Sequence, residues 1–108
     1  MNTAKNDLAA DVAGDWELHF KGPMGPETWN MKITQDGDNL KIQAKSPFLG
    51  SFESKGTVKD DAIHMEFVHR LPQGIFNREF NGTVEGNAMK GESKLNGSRE
   101  SDFDAAKK

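Results

Sequence analysis

The chain has 108 residues, 34% of them hydrophobic, a formal net charge of −3 and no cysteine. That length bounds a single domain around one core. A mean hydropathy of −0.76, with no apolar run approaching ~20 residues, excludes a membrane-spanning helix. Interspersed charges offer no basic surface to a nucleic acid, and without thiols there is no disulfide frame, thiolate metal site or cysteine nucleophile.

Residues 1–13 read as a helical lead-in or plug. Leu8 and Val12 lie one turn apart, with Asn2 or Thr3 available as a cap, so the pattern predicts a short helix over 3–12. Such a helix is too short to stand alone and must pack its apolar edge on something. The lead-in lacks the apolar stretch of a signal peptide. A leader already removed would place the protein in the periplasm or outside the cell; otherwise it is cytoplasmic.

From Gly14 the periodicity changes to two. Trp16, Leu18 and Phe20 point one way, and Glu17, His19 and Lys21 the other. The same alternation predicts eight strands over 15–21, 27–34, 39–46, 51–58, 62–69, 75–84, 88–95 and 98–105. Repeats at roughly 8–12 residues, with no room for a crossover helix, specify an all-β chain of sequential antiparallel neighbours. One apolar face per strand and a solvated opposite face favour closure, which leaves no edges. The expected fold for residues 14–108 is therefore an eight-stranded antiparallel up-and-down β-barrel.

The turns fall into two sets. Those after strands 2, 4 and 6 are tight and polar, as in Gln35-Asp36-Gly37-Asp38 and Glu85-Gly86-Asn87. Those after strands 1, 3 and 5 carry Met24, Phe48, Leu49 and Leu71. A meander puts the two sets at opposite ends, so one end is sealed and the other has an apolar rim. Gly56-Thr57-Val58 and Gly82-Thr83-Val84 also echo each other, which repeated two-strand units and convergent hairpin chemistry explain equally well.

Gly14-Asp15-Trp16 at the head of strand 1, the preceding helix and the closing Phe103-Asp104-Ala105-Ala106-Lys107 resemble the calycin superfamily, and within it the small bacterial lipocalin-like domains. The resemblance implies a ligand-binding barrel closed at its Trp16 end. The chain has no tyrosine, and Lys107 or Lys108 stands where that family packs an arginine on the tryptophan.

The inward parity also contains polar residues near the rimmed end: Ser46, Ser54, His69, Arg78, Ser93, Arg99 and Ser101. With Phe20, Trp29, Phe52, Phe67 and Phe76 they form the candidate ligand site, an apolar cavity with a few convergent polar groups. The arginines and the histidine favour an acidic group on the ligand, and an inward arginine requires either that anion or an acid such as Glu27. The expected function is binding of a small hydrophobic, anionic molecule. The alternative is a cofactor-free hydrolase, lyase or isomerase, with His69 as acid or base and Arg78 steadying negative charge. Ser46 or Ser54 with His69 is the candidate acyl-transfer pair, and Glu27 with Glu53 the candidate glycosidase pair. A third reading uses the rim as a protein contact surface. No metal or cofactor is expected, since His64 and His69 face opposite sides of one strand, and the chain is expected to be a monomer or weak dimer.

Overall fold

The computed structural model describes residues 9–47 and 49–108. All eight strands form: β1 (Gly14–Gly22), β2 (Gly25–Asp36), β3 (Asn39–Ser46), β4 (Gly50–Lys59), β5 (Ala62–Leu71), β6 (Gly74–Glu85), β7 (Ala88–Leu95) and β8 (Ser98–Lys107). Each pairs antiparallel with its sequence neighbour, and β1 pairs β8 to close the barrel. The strands run past their expected ends, so the rim connections shrink: only Pro23 and Met24 join β1 to β2, and only Pro72 and Gln73 join β5 to β6.

Parity determines the inside. Trp16, Leu18, Trp29, Ile42, Val58, Met65, Phe67 and Phe80 are buried, while Lys41, Gln43 and Lys45 between them on β3 are exposed. Ile33, Leu40, Val58, Ile63, Val84 and Met89 seal the end carrying the tight polar hairpins.

The lead-in closes that end, but not as a helix. Ala9 bridges Asp60, Ala10 N donates to Asp60 O, and Val12 N donates to Gln35 Oε1 at 2.8 Å. Residues 9–13 are therefore not helical, because the Asp60 carbonyl and the Gln35 side-chain amide on the barrel rim satisfy their hydrogen bonds. The rest of the expected helix, with its Leu8 contact and its cap, lies outside the described residues. Val12 is fully buried, and its carbonyl accepts Trp16 Nε1 at 2.9 Å. Lys107 Nζ sits 5.7 Å from the Trp16 ring centroid. Among the described residues there is no helix, and hence none long and apolar enough to cross a membrane.

Two features bend the wall. At Gly82 and Gly91, directly paired between β6 and β7, a Cβ on either would strike the other strand's backbone, so only glycine permits this approach. Gly56 on β4 meets the His64 carbonyl in the same way, so the two glycines of the sequence echo perform the same task. On β8 the register slips: Ser93 pairs with Ser101, but Lys94 pairs with Arg99, leaving Glu100 as an extra residue.

Candidate functional site

The rimmed end is built in layers. Its floor is a ring cluster in which Trp29 lies edge-to-face against Phe20, Phe52, Phe67, His69 and Phe80, with centroids 4.9–5.8 Å apart. This is the arrangement that aromatic quadrupoles favour. Phe103 extends the cluster beyond Phe80 at 5.3 Å. Phe20, Trp29 and Phe67 are at most 5% exposed, so these three expected ligand contacts are packed side chains of the core. Trp29 Nε1 donates to Glu27 Oε1 at 3.2 Å, which occupies the acid expected to answer Arg78.

Above the floor lies a polar layer. Arg78 points inward from β6, flanked in sequence by Phe76 and Phe80, as its parity predicts. Its partner is Glu100: Nε donates to Oε1 at 3.0 Å and Nη2 to Oε2 at 2.8 Å, with both side chains less than a tenth exposed. The guanidinium also lies 4.9 Å from the Phe20 ring centroid and 5.7 Å from that of Trp29. Ser93 Oγ donates to Glu100 Oε1 at 3.2 Å and lies 3.3 Å from Ser101 Oγ.

The bulge in β8 explains why Glu100 and not Arg99 enters the barrel. A two-against-one step reverses the parity beyond it, so Arg99 lies on the outer face, bound to Glu92 at 2.8 Å and Asp102 at 2.6 Å. The expected inward Arg99 is therefore corrected. The sequence around Glu100 is Ser98-Arg99-Glu100-Ser101, which has no apolar alternation to reveal the slip. The one available signal was the demand of an inward Arg78 for an acid.

His69 is 7% exposed, and its Nε2 is a buried polar atom with no hydrogen-bond partner among the described residues. Phe52 lies edge-on to it at 4.8 Å and Trp29 at 5.8 Å. Burial, helped by the positive charge of Arg78, holds the His69 pKa below its usual value. The imidazole is thus neutral near pH 7. Of the serines expected to pair with His69, Ser46 Oγ accepts from Leu49 N at 3.3 Å, and Ser54 Oγ donates to Lys55 O at 3.5 Å. Phe76, opposite His69 in the ladder, is half-buried and makes no ring contact among the described residues.

The wall beside His69 is split. β4 and β5 pair only from Lys55↔Glu66 down to Lys59↔Ala62. Continuing that register would match Ser54 with Phe67 and Phe52 with His69, yet no ladder forms there. On their other sides, β4 remains paired to β3 and β5 to β6 over these residues. Phe52 and His69 thus meet side chain to side chain across a parted seam. The exposed large hydrophobics are Met24 between β1 and β2, Leu71 and Val68 on β5 and Ile75 on β6, and the last two hold outward positions that alternation would fill with polar residues. Leu49 packs on the core, and Phe48 lies outside the described residues. Concavities of about 480–670 Å³ indent the outer wall and rims and are lined mainly by outward side chains.

No protein-family model and no curated protein matches the chain. Among solved structures it is similar to a de novo designed fluorescence-activating β-barrel, with a TM-score of 0.62 and 16% identity over the whole of both chains. That likeness establishes the closed eight-stranded antiparallel barrel as the fold.

Proposed function

We propose that the barrel binds a small, largely apolar molecule at its rimmed end, and that the ligand's polar group is a hydroxyl that meets His69 Nε2. The observation that carries this reading is the buried, unpartnered Nε2 beside the parted β4–β5 seam. Such an atom costs roughly 1–3 kcal/mol, and a hydroxyl, being donor and acceptor at once, satisfies either tautomer of a neutral imidazole. The seam supplies access, since shifting Phe52 uncovers His69 without breaking a ladder hydrogen bond between β4 and β5. An acidic ligand, expected while Arg78 was unanswered, loses its main support because Glu100 neutralises that guanidinium.

In this reading residues 14–108 are the binding barrel and residues 1–13 the lead-in, of which 9–13 close its far end. A lipocalin-like ancestry is part of the proposal, supported by Lys107 lying near Trp16 in the place where that family packs an arginine. The solved barrel similar to this chain is described as fluorescence-activating, which recommends an environment-sensitive dye as a competitive probe. The test is a titration of 4-methylphenol and 4-methylbenzoate, followed by tryptophan fluorescence. Saturable binding of the phenol, weaker binding of the benzoate and a loss of about tenfold in His69→Phe, equivalent to one hydrogen bond, support the reading. Binding that is absent, or unchanged in His69→Phe, refutes it.

A further inference from the structure

The outer wall of β5 and β6 carries a donor cluster that the rimmed end does not use. His64 and Glu66, two apart on β5, share its outer face. The register sets Asn81 opposite His64 and Glu79 opposite Glu66. Two carboxylates placed directly opposite repel one another. The neighbouring lysines, Lys55 beside Glu66 and Lys94 beside Glu79, form no ion pair with either acid among the described residues.

His64 lies beside the acids. Its Nε2 is 2.9 Å from Glu66 Oε1, and its Nδ1 contacts Asn81 Oδ1. Nε2 thus faces a carboxylate oxygen while Nδ1 is held by the Asn81 side chain, and donor atoms of His64, Glu66 and Glu79 converge on one spot of the outer wall.

We propose that His64 Nε2, Glu66 and Glu79 bind a divalent first-row transition ion of the zinc class on the outside of the barrel. One ligand atom from each residue lies within 4.8 Å of the other two. Bonds of ~2.0–2.1 Å need donor separations of roughly 3.3 Å, which rotation of partly exposed carboxylates provides. The ion replaces the Nε2 proton, and its two charges balance the two carboxylates. Asn81 keeps the Nδ1 proton and so fixes the tautomer, the role an outer hydrogen-bond partner plays at metal-bound histidines. One imidazole and two carboxylates suit a zinc-class ion, whereas calcium wants six or more oxygens. The bordering groove, about 670 Å³ and lined by Thr57, His64 and Glu66 among others, leaves the fourth position open.

The test is calorimetric titration of the whole chain with zinc chloride at pH 7.5, with calcium chloride as competitor. The proposal requires one zinc ion per chain, undisturbed by equimolar calcium and weakened at least about tenfold by both Glu79→Gln and His64→Gln. His19→Gln, which alters the other outer-face histidine–glutamate pair, leaves binding unchanged. Thermal unfolding without metal checks that the variants are folded, and added zinc raises the midpoint of the wild type but not of Glu79→Gln. Absence of binding, or binding that survives both substitutions, overturns the proposal.

Discussion

Replacing Glu100 by glutamine removes one charge from the polar layer while keeping the side-chain shape. Glu100 and Arg78 are 6% and 7% exposed, joined by two charge-assisted bonds of 3.0 and 2.8 Å. Neutralising one partner leaves a guanidinium buried without its counter-charge, a situation that costs about 3–5 kcal/mol. The Phe20 and Trp29 rings beneath Arg78 recover part of that, so the expected loss for Glu100→Gln is about 3 kcal/mol. At roughly 4 °C per kcal/mol for a domain of this size, the midpoint falls by about 12 °C. The double variant Arg78→Met, Glu100→Leu removes both charges and returns to within about 1 kcal/mol of the parent, because an apolar pair of similar volume restores the packing. Urea unfolding followed by tryptophan fluorescence measures all three. A single-variant loss below about 1 kcal/mol, or a double variant no better than the single, refutes the β8 bulge and the inward Glu100.

The two perturbed histidines give opposite pH dependences. His69, its pKa lowered by burial and Arg78, contributes stability that is complete above about pH 6.5 and is lost as pH falls through its folded pKa. His64, its pKa raised, contributes stability present below about pH 6.5 and lost as pH rises through its folded pKa. In a His64→Gln background, unfolding free energy therefore decreases from pH 7.5 to 5 at up to roughly 1.4 kcal/mol per unit, and adding His69→Phe flattens that slope; an unchanged slope contradicts the burial of His69. Gly91→Ala drives a methyl into the Asn81 carbonyl and Gly82 Cα across the ladder and costs about 1–3 kcal/mol, whereas Gly25→Ala meets no atom within 4 Å and answers only for its positive φ of 117°. Trp16→Phe keeps the closed end apolar but orphans the Val12 carbonyl, a loss of about 1–2 kcal/mol with release of the lead-in, visible as faster amide exchange at Val12.

Alternation was strong enough to specify the barrel, since a slip of one residue would turn Trp16, Ile42 or Phe67 into solvent. It also placed Arg78, His69 and Ser93 inside. It failed where side chains do not alternate. Across Ser98-Arg99-Glu100-Ser101 no apolar residue pins the register, so a bulge exchanged Arg99 for Glu100 without trace. Residues 3–12 read as helical because Val12 is apolar and lies one turn from Leu8, but in 9–12 the backbone amides donate to Asp60 and Gln35 instead of to a helix ladder. The parting of β4 from β5 left no mark either: Val68 fits a strand's outer face by propensity, and nothing local records which neighbour it lacks. Nor does spacing within one strand reveal that Glu79 faces Glu66, which only cross-strand register sets.

Mapping backbone amide and imidazole ¹⁵N shifts during a 4-methylphenol titration reads the binding end directly. Binding at the rimmed end predicts saturable changes at Phe52, His69 and Phe76, a perturbed His69 Nε2 resonance, and a Trp16 indole signal that does not move. Shifts centred on Trp16 and Val12, or no saturable shift at any residue, would contradict it.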